Sequence, residues 1–259
     1  MTKVIKTIAH WREERRQIKA TRVGFVPTMG ALHAGHQALV QRSLRENEVT
    51  VVSIFVNPTQ FNDKADFEKY PRTDQTDIEL LTALGVHYVF MPSATELYPD
   101  GYSIKISETD IAMLMEGKSR PGHFDGVLTV VMKLLSIIRP TACYMGEKDF
   151  QQYLLIKKLA EAFFLEVEII PCATVRDADG LALSSRNALL SAEERLRAPQ
   201  FPHILAAAST PEEATRQLQE KGFTVDYVQD MWGRRFGAVR LGKVRLIDNL
   251  VIGSTKLSA

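Results

Sequence analysis

The amino-acid sequence predicts an α/β protein: an open, doubly wound parallel sheet followed by a smaller α+β part. Three observations carry that reading. Short apolar runs of strand length alternate with stretches of helical spacing up to about residue 174. The runs are almost continuously apolar, as in parallel strands covered on both faces. After about residue 175 the alternation stops, and helices are followed by clustered strands. The expected division is therefore 1–174 for the sheet domain and 175–259 for the small α+β domain.

Taken in order, residues 10–20 read as an amphipathic helix with Trp11, Ile18 and the arginine stems against the body. Val23–Pro27 is a buried strand, and Pro27 suits its last position because it donates no ladder hydrogen bond. Helical spacing follows from His36 through Ala38, Leu39, Val40 and Leu44. Val49–Val56 is a β-branched strand that ends in the turn Asn57–Phe61. Asp74–Gly85 reads as a helix with Ile78, Leu81 and Leu84 inward and Gly85 as its C-cap. Tyr88–Pro92, Ala142–Met145 and Glu166–Cys172 are further strands. A long helix spans about Val127 to Ile138, and another carries Leu154, Leu155, Leu159 and Phe163. Ser191 with Glu194 forms a capping box, and Thr210 opens a helix with Pro211 at its first position and Gly222 past its end. Phe223–Gln229, Ala238–Leu241 and Val244–Ile247 are the closing strands. No internal repeat or low-complexity segment breaks the pattern.

The totals exclude several classes. The 259 residues suffice for one large domain or two modest ones, with 45% hydrophobic and 24% charged content typical of a globular chain. A formal net charge of +1 gives no global pull toward nucleic acid or an anionic membrane, so any anion site must be local. Cys143 and Cys172 sit in apolar strand contexts and read as buried reduced thiols, which points to the cytoplasm. Trp11–Arg16 is charged where a signal peptide would be apolar, and no apolar run approaches the roughly 20 residues of a membrane span.

Chemistry concentrates at the turns that follow strands. The first is Met29-Gly30-Ala31-Leu32-His33-Ala34-Gly35-His36, which delivers two histidines at a helix start. There, free backbone N–H groups and the helix dipole favour an anion such as phosphate. A capping role and a shared metal are the competing readings. The metal lacks a nearby third ligand and the glutamate of the zinc-protease pattern. Phosphate is the better reading, and no residue is assigned to a metal. Gly117–Val127 reads as a surface loop in which Arg120 and His123 could face a substrate anion. Gly146-Glu147-Lys148-Asp149 is a second strand-to-helix turn, with a lysine able to reach phosphate as a mobile charge. Gln151 and Gln152 follow, with amides suited to a carboxylate or hydroxyl. Val175–Asn187 contains an Asp-Gly turn and then Ser184, Ser185 and Arg186, a donor set suited to a polyphosphate.

Together these runs resemble the pantoate–β-alanine ligase (pantothenate synthetase) family, of the wider nucleotidyltransferase group with the His-x-Gly-His signature. The matching segments are Pro27–His36, Phe55–Phe61, Tyr70–Thr73, Gly117–Val127, Gly146–Gln152, Val175–Asn187 and Leu246–Asn249, in family order along nearly the whole chain. The histidine motif alone is shared with many adenylyltransferases. Its combination with Asn57–Phe61, Arg120–Phe124, Gly146–Asp149 and Leu183–Asn187 is specific.

The resemblance implies a Rossmann-like sheet and a two-step reaction. Pantoate attacks the α-phosphorus of ATP to give pantoyl-adenylate and pyrophosphate, and β-alanine then gives pantothenate and AMP. It implies that Met29 to His36 bind ATP, with His33 and His36 on the phosphates and His36 as proton donor. Gly146, Glu147, Lys148 and Asp149 would contact the nucleotide, with Lys148 on the α-phosphate, and Val175 would line the adenine side. Leu183, Ser184, Ser185 and Arg186 would close over the polyphosphate. Gln60 and Gln152 would hold pantoate, with Asn57 shaping that wall. Mg²⁺ would accompany ATP, and a cytoplasmic homodimer is expected. Thr59 and Met145 depart from commoner bulkier residues, 198–227 is shorter than usual, and a loop at 231–236 is unusually basic and aromatic. Another adenylyltransferase of the same signature, or a nucleotide-binding regulator without catalysis, are the rival readings.

Overall fold

The computed structural model describes residues 2–252. These residues form two compact units, one running up to Glu147 and taking in Gln151–Cys172, the other made of Lys148–Phe150 and the described residues from Ala173 onward. The first unit runs through β1 (Lys3–Ile5), α1 (Ile8–Gln17), β2 (Val23–Thr28), α2 (Ala34–Glu46) and β3 (Val49–Ile54). It continues with α3 (Lys64–Lys69), α4 (Asp74–Ala83), β4 (Tyr88–Phe90), α5 (Ala94–Leu97), α6 (Met115–Ser119) and α7 (His123–Ile138). Then come β5 (Ala142–Gly146), α8 (Phe150–Ala162), whose first residue belongs to the other unit, and β6 (Glu168–Cys172).

The strands form one parallel sheet in the order β1-β4-β3-β2-β5-β6. From β2 the chain winds outward through β3 and β4, then returns to build β5 and β6 on the other side. The carboxyl ends of β2 and β5 therefore flank the point where the winding reverses, which is where such sheets bind ligands. Strand alternation splits the core across the two faces. Phe25, Val51 and Cys143 pack into one cluster with Trp11, Leu128 and Ile156. Val26, Val52 and Tyr144 pack into the other with Val40 and Leu81. Each strand is thus covered on both sides, as its continuous apolarity requires. Trp11 is fully buried, and its Nε1–H reaches the Ile137 carbonyl at 2.8 Å, seating α1 on α7.

The second unit contains α9 (Ala192–Arg197), α10 (Gln200–Ala207), α11 (Pro211–Glu220) and the strands β7 (Thr224–Met231), β8 (Arg234–Leu241) and β9 (Val244–Val251). These strands form an antiparallel meander, and its core holds Phe201, Leu205, Leu218, Phe223, Val239 and Leu246. Ser191 and Thr210 cap α9 and α11 through their hydroxyls.

Several local expectations change. The loop expected over 117–127 is largely helical: α6 runs into it as far as Ser119 and α7 begins at His123, with Glu116 and His123 buried. On α4 the buried positions are Asp77 and Leu81, while Ile78 is half-buried. The expected loop over 231–236 is the tip of the β7–β8 hairpin, with Trp232 and Gly233 at positive φ. Its Arg235 is buried, bonded to both Asp230 carboxylate oxygens (2.7 and 2.9 Å) and to the carbonyls of Leu205, Ala208 and Ser209. Pro27 lies one residue inside β2, beyond the last residue of β2 that pairs with β5. Among the described residues no helix is long and apolar enough to cross a membrane.

Candidate active site

In the first unit the site is built on the turns after β2 and β3. Thr28 ends β2; its Oγ1 donates to the Ser53 carbonyl (2.7 Å) and accepts from Gly30 N–H (3.2 Å). Past Met29, two residues in a row take left-handed backbone, Gly30 at φ 78° and Ala31 at φ 50°. Glycine adopts this readily, but an alanine there costs about 1–2 kcal/mol. The compensation comes from Asp77, which is only 2% exposed. Its Oδ2 accepts from Ala31 N–H at 2.8 Å and its Oδ1 from Leu32 N–H at 2.9 Å. The Thr73 hydroxyl adds a third bond to Oδ2 at 3.0 Å. Hydrogen bonds to a charged acceptor are worth about 1.5–3 kcal/mol each, so these exceed the backbone cost.

His33 is the N-cap of α2 and His36 its third residue, and their side chains form a reciprocal capping box. Gly35 N–H donates to His33 Nδ1 (3.1 Å), and His33 N–H donates to His36 Nδ1 (3.3 Å). With both Nδ1 atoms accepting, each neutral ring carries its proton on Nε2. The rings lie 4.1 Å apart, tilted by 39°. The capping and anion-binding readings are therefore compatible: one ring nitrogen orders the helix start, and the other is a donor.

The turn after β3 is a single 3₁₀ turn, Pro58–Gln60, capped by Asn57. Asn57 is 1% exposed and uses both ends of its amide. Its Oδ1 accepts from the hydroxyls of Tyr98 (2.8 Å) and Thr59 (3.0 Å), and its Nδ2 donates to Gln60 Oε1 (3.0 Å) and the Gly126 carbonyl (3.2 Å). Burial pushes the Tyr98 phenol up to about 12, which keeps it a donor. Gln60 Nε2 reaches Met29 Sδ at 3.3 Å, so the two turns share one wall. Gly126 lets α7 meet this turn: a Cβ there would lie 2.5 Å from the Thr59 carbonyl oxygen.

Arg120 and His123 support that wall. The Gln60 carbonyl accepts from His123 Nδ1 (2.9 Å) and Arg120 Nη2 (3.3 Å), so His123 Nε2 is the acceptor for Arg120 Nη1 at 3.1 Å. Glu116 lies 3.7 Å from the same guanidinium. These contacts give both residues, which the sequence offered as ones that could face a substrate anion, a place against the Gln60 backbone. Gln151 is likewise internal, accepting from Glu116 N–H and donating to the carbonyls of Ile111 and Leu114 at 2.8–3.1 Å. Gln152, the next residue on α8, is half-buried. Gly146 ends β5 and Glu147 begins the following 3₁₀ turn.

The second unit carries Lys148, Asp149, Val175 and Leu183–Arg186. The Lys148 carbonyl accepts from Asn249 Nδ2 (3.0 Å), and Asn249 Oδ1 accepts from Arg234 (2.8 Å). Arg234 lies over the Phe150 ring at 4.2 Å. Next to Asn249, Asp248 holds Arg176 through two bonds of 2.6 and 2.9 Å, a fork geometry. Val175 accepts from Leu183 N–H (3.0 Å) across a tight turn, bringing those two together. Ser184 Oγ then caps the 3₁₀ turn Ser185–Leu189 by accepting from Arg186 N–H at 3.2 Å. Ser184, Ser185 and Arg186 are all half-buried.

Asp77, Tyr98 and the Arg234–Asn249 pair escaped the sequence reading. Asp77 looks like an ordinary acid in a helix first turn, where the dipole favours one. The Thr73-to-Asp77 spacing beside a left-handed turn is visible only in three dimensions. The cysteines are free and buried, and burial pushes both thiols up, so neither is poised as a nucleophile. Among the described residues, no three His, Cys, Asp or Glu side chains are grouped to hold a metal ion.

The model of the pantoate-beta-alanine ligase family matches residues 3–251. A pantothenate synthetase of Bdellovibrio bacteriovorus is 50% identical over 252 residues, 97% of this chain and 100% of that protein. The crystal structure of a Francisella tularensis pantoate-beta-alanine ligase, complexed with beta-gamma ATP and beta-alanine, superposes with a TM-score of 0.93 at 45% identity. That match covers 97% of this chain and 98% of the other. A Thermus thermophilus pantothenate synthetase gives a TM-score of 0.87 at 39% identity, covering 96% and 99%. On a match that spans both compact units, the chain belongs to the pantoate–β-alanine ligase family.

Proposed function

We propose that this enzyme condenses pantoate with β-alanine at the expense of ATP, through a pantoyl-adenylate. The observation that carries the reading is the paired wall of the first unit. Two histidines with Nε2–H donors stand at the start of α2, and the Gln60 amide is fixed through Asn57 and Met29 beside the turn that leads to them. A charge-stabilising element and a polar substrate clamp at one sheet edge suit attack of a carboxylate on a nucleotide phosphate.

In the first step a pantoate carboxylate oxygen bonds to the α-phosphorus of ATP, and the bond to the bridging oxygen breaks, releasing pyrophosphate. Gln60 and Gln152 hold pantoate by its hydroxyl and carboxylate, with Asn57 locking Gln60. Met29 to His36 bind the nucleotide, and His33 and His36 donate to phosphate oxygens as charge builds there. Gly146 and Glu147 line the same nucleotide-binding edge. On the second unit Lys148 supplies a positive charge for the α-phosphate, Asp149 and Val175 contact the nucleoside, and Leu183, Ser184, Ser185 and Arg186 serve the polyphosphate. In the second step the β-alanine amine attacks the activated carbonyl carbon, AMP leaves with the former carboxylate oxygen, and the nitrogen loses a proton. Mg²⁺ enters with ATP as part of the substrate, on phosphate oxygens. The buried, protonated thiols suit a reducing compartment, so we place the enzyme in the cytoplasm; the homodimer is carried over from the family resemblance.

The test is direct. Purified protein is mixed with ATP, Mg²⁺, pantoate and β-alanine, and AMP is quantified. AMP release should require both acids; release that ignores either one overturns the reading. Sedimentation analysis at working concentration should give twice the chain mass, and a monomer would refute the dimer.

A further inference from the structure

We propose that Asp77 is a positioning residue for adenylate formation: it sets the histidine turn in place without touching substrate. The inference rests on the functional reading above and goes beyond its contact residues. A carboxylate in a helix first turn ordinarily faces its own free N–H groups or water. Here it is buried, and both oxygens cross to the turn after β2, taking Ala31 and Leu32 N–H at 2.8 and 2.9 Å. Those residues directly precede His33, the N-cap of α2. Ala31 is held in left-handed backbone, and the Gly30 Cα hydrogen side lies so close that a Cβ there would sit 3.0 Å from Asp77 Oδ2. Thr73 braces the carboxylate from the start of its own helix at 3.0 Å. The path from α4 to the two rings is thus short and polar: Thr73, Asp77, the two amides, then the capping box.

Asparagine makes the sharpest probe. It has the same shape, but one acceptor oxygen where the turn presents two amide donors. Either orientation of the amide sets an N–H against an N–H, and the turn must shift. Pyrophosphate release from ATP and pantoate, without β-alanine, reads the first step alone. For Asp77→Asn the rate should fall about 10²-fold per folded molecule, because a displacement near 1 Å has that effect. The KM for pantoate should change less than about 3-fold, since Asn57 on the Gln60 amide oxygen and His123 and Arg120 on its carbonyl hold Gln60 from outside the histidine turn. General destabilisation would lower the folded fraction and leave the rate of the folded fraction intact.

Folded Asp77→Asn at the wild-type rate overturns the proposal. If that variant does not fold, Thr73→Val decides, because it removes only the brace. Its rate should fall by roughly 3–10-fold, less than the roughly 10-fold or more of a bond to a charge felt in full because the brace acts only through Asp77, and a wild-type rate overturns the proposal. A wild-type enzyme that releases no pyrophosphate overturns the functional reading, and this proposal with it. An active wild type beside an unaffected variant overturns this proposal alone.

Discussion

Gly126→Ala separates the Asn57–Gln60 wall, proposed to hold pantoate, from the rest of the molecule. An added Cβ would lie 2.5 Å from the Thr59 carbonyl oxygen, 2.6 Å from its carbon and 2.7 Å from Gln60 N. All three are backbone atoms, so no side chain can swing aside. Restoring ordinary contact near 3.5 Å requires α7 and the 58–60 turn to part by about 1 Å. That motion stretches the Asn57–Gly126 bond from 3.2 Å and the His123–Gln60 bond from 2.9 Å, so Gln60 loses both its fixed backbone and its fixed amide. Overpacking of this kind costs about 1–3 kcal/mol, or about 3–10 °C in melting temperature for a chain of this size. The functional loss should be larger, because a misplacement near 1 Å can cost about 10²-fold. Steady-state AMP formation, with pantoate varied at saturating ATP and β-alanine, should show kcat/KM for pantoate down about 10–100-fold. The KM for ATP should change little, since the histidine turn hangs on Asp77 instead. A kcat/KM for pantoate within about 2-fold of wild type would refute the reasoning, and so would a roughly 10-fold or larger rise in the KM for ATP.

The remaining predictions address single groups. His36→Ala should lower kcat by roughly 10²-fold with a smaller change in KM for pantoate; a large KM effect at normal kcat would make it a binding residue. Gln60→Ala should reduce kcat/KM for pantoate by about 10–100-fold, as expected for a hydrogen bond to a charged group, and an unaffected variant would favour a different acid. Asp100 tests pH linkage. Ile104 N–H (3.0 Å) and Lys133 Nζ (3.1 Å) hold its carboxyl down to about 2 from the ordinary 3.8. Because the folded value is the lower one, its contribution is full above about 3.8 and disappears as pH falls toward about 2. The urea-midpoint gap between wild type and Asp100→Asn should therefore be constant near neutrality and narrow below pH 4 or so; a gap independent of pH would contradict the assignment.

Much of the fold was legible because burial on both faces leaves a plain record in the sequence. Val23–Val26, Val49–Ile54 and Ala142–Met145 are almost continuously apolar, with Thr50 and Ser53 the polar exceptions, and each is a strand covered on two sides. The capping signals at Ser191 and Thr210 are local chemistry and were equally plain. The strand Lys3–Ile5 was not legible, since three residues carry no periodicity and form only through pairing with β4. The start of α7 was misplaced because glycine, proline and charge near residue 120 resemble a loop. Tertiary packing of His123 and Phe124 outweighs that local signal. At the candidate site, the strand–turn–helix pattern placed His33 and His36 at a helix start, but which nitrogen each ring spends on the backbone needs coordinates. The roles of Asp77, Arg120 and His123 were hidden for the same reason. Each acts on a backbone group 45 or more positions away, and a single sequence carries no trace of such pairings.

The central claim is that the pantoate carboxylate is itself the nucleophile on the α-phosphorus. The most direct measurement uses pantoate labelled with heavy oxygen in its carboxylate, with ATP, Mg²⁺ and β-alanine, and mass analysis of the AMP formed. An adenylate path transfers one carboxylate oxygen to phosphorus, and that oxygen leaves with AMP when the amide forms. The account predicts one heavy oxygen in each AMP released. Unlabelled AMP, with the heavy oxygen in phosphate, pyrophosphate or water instead, would contradict it.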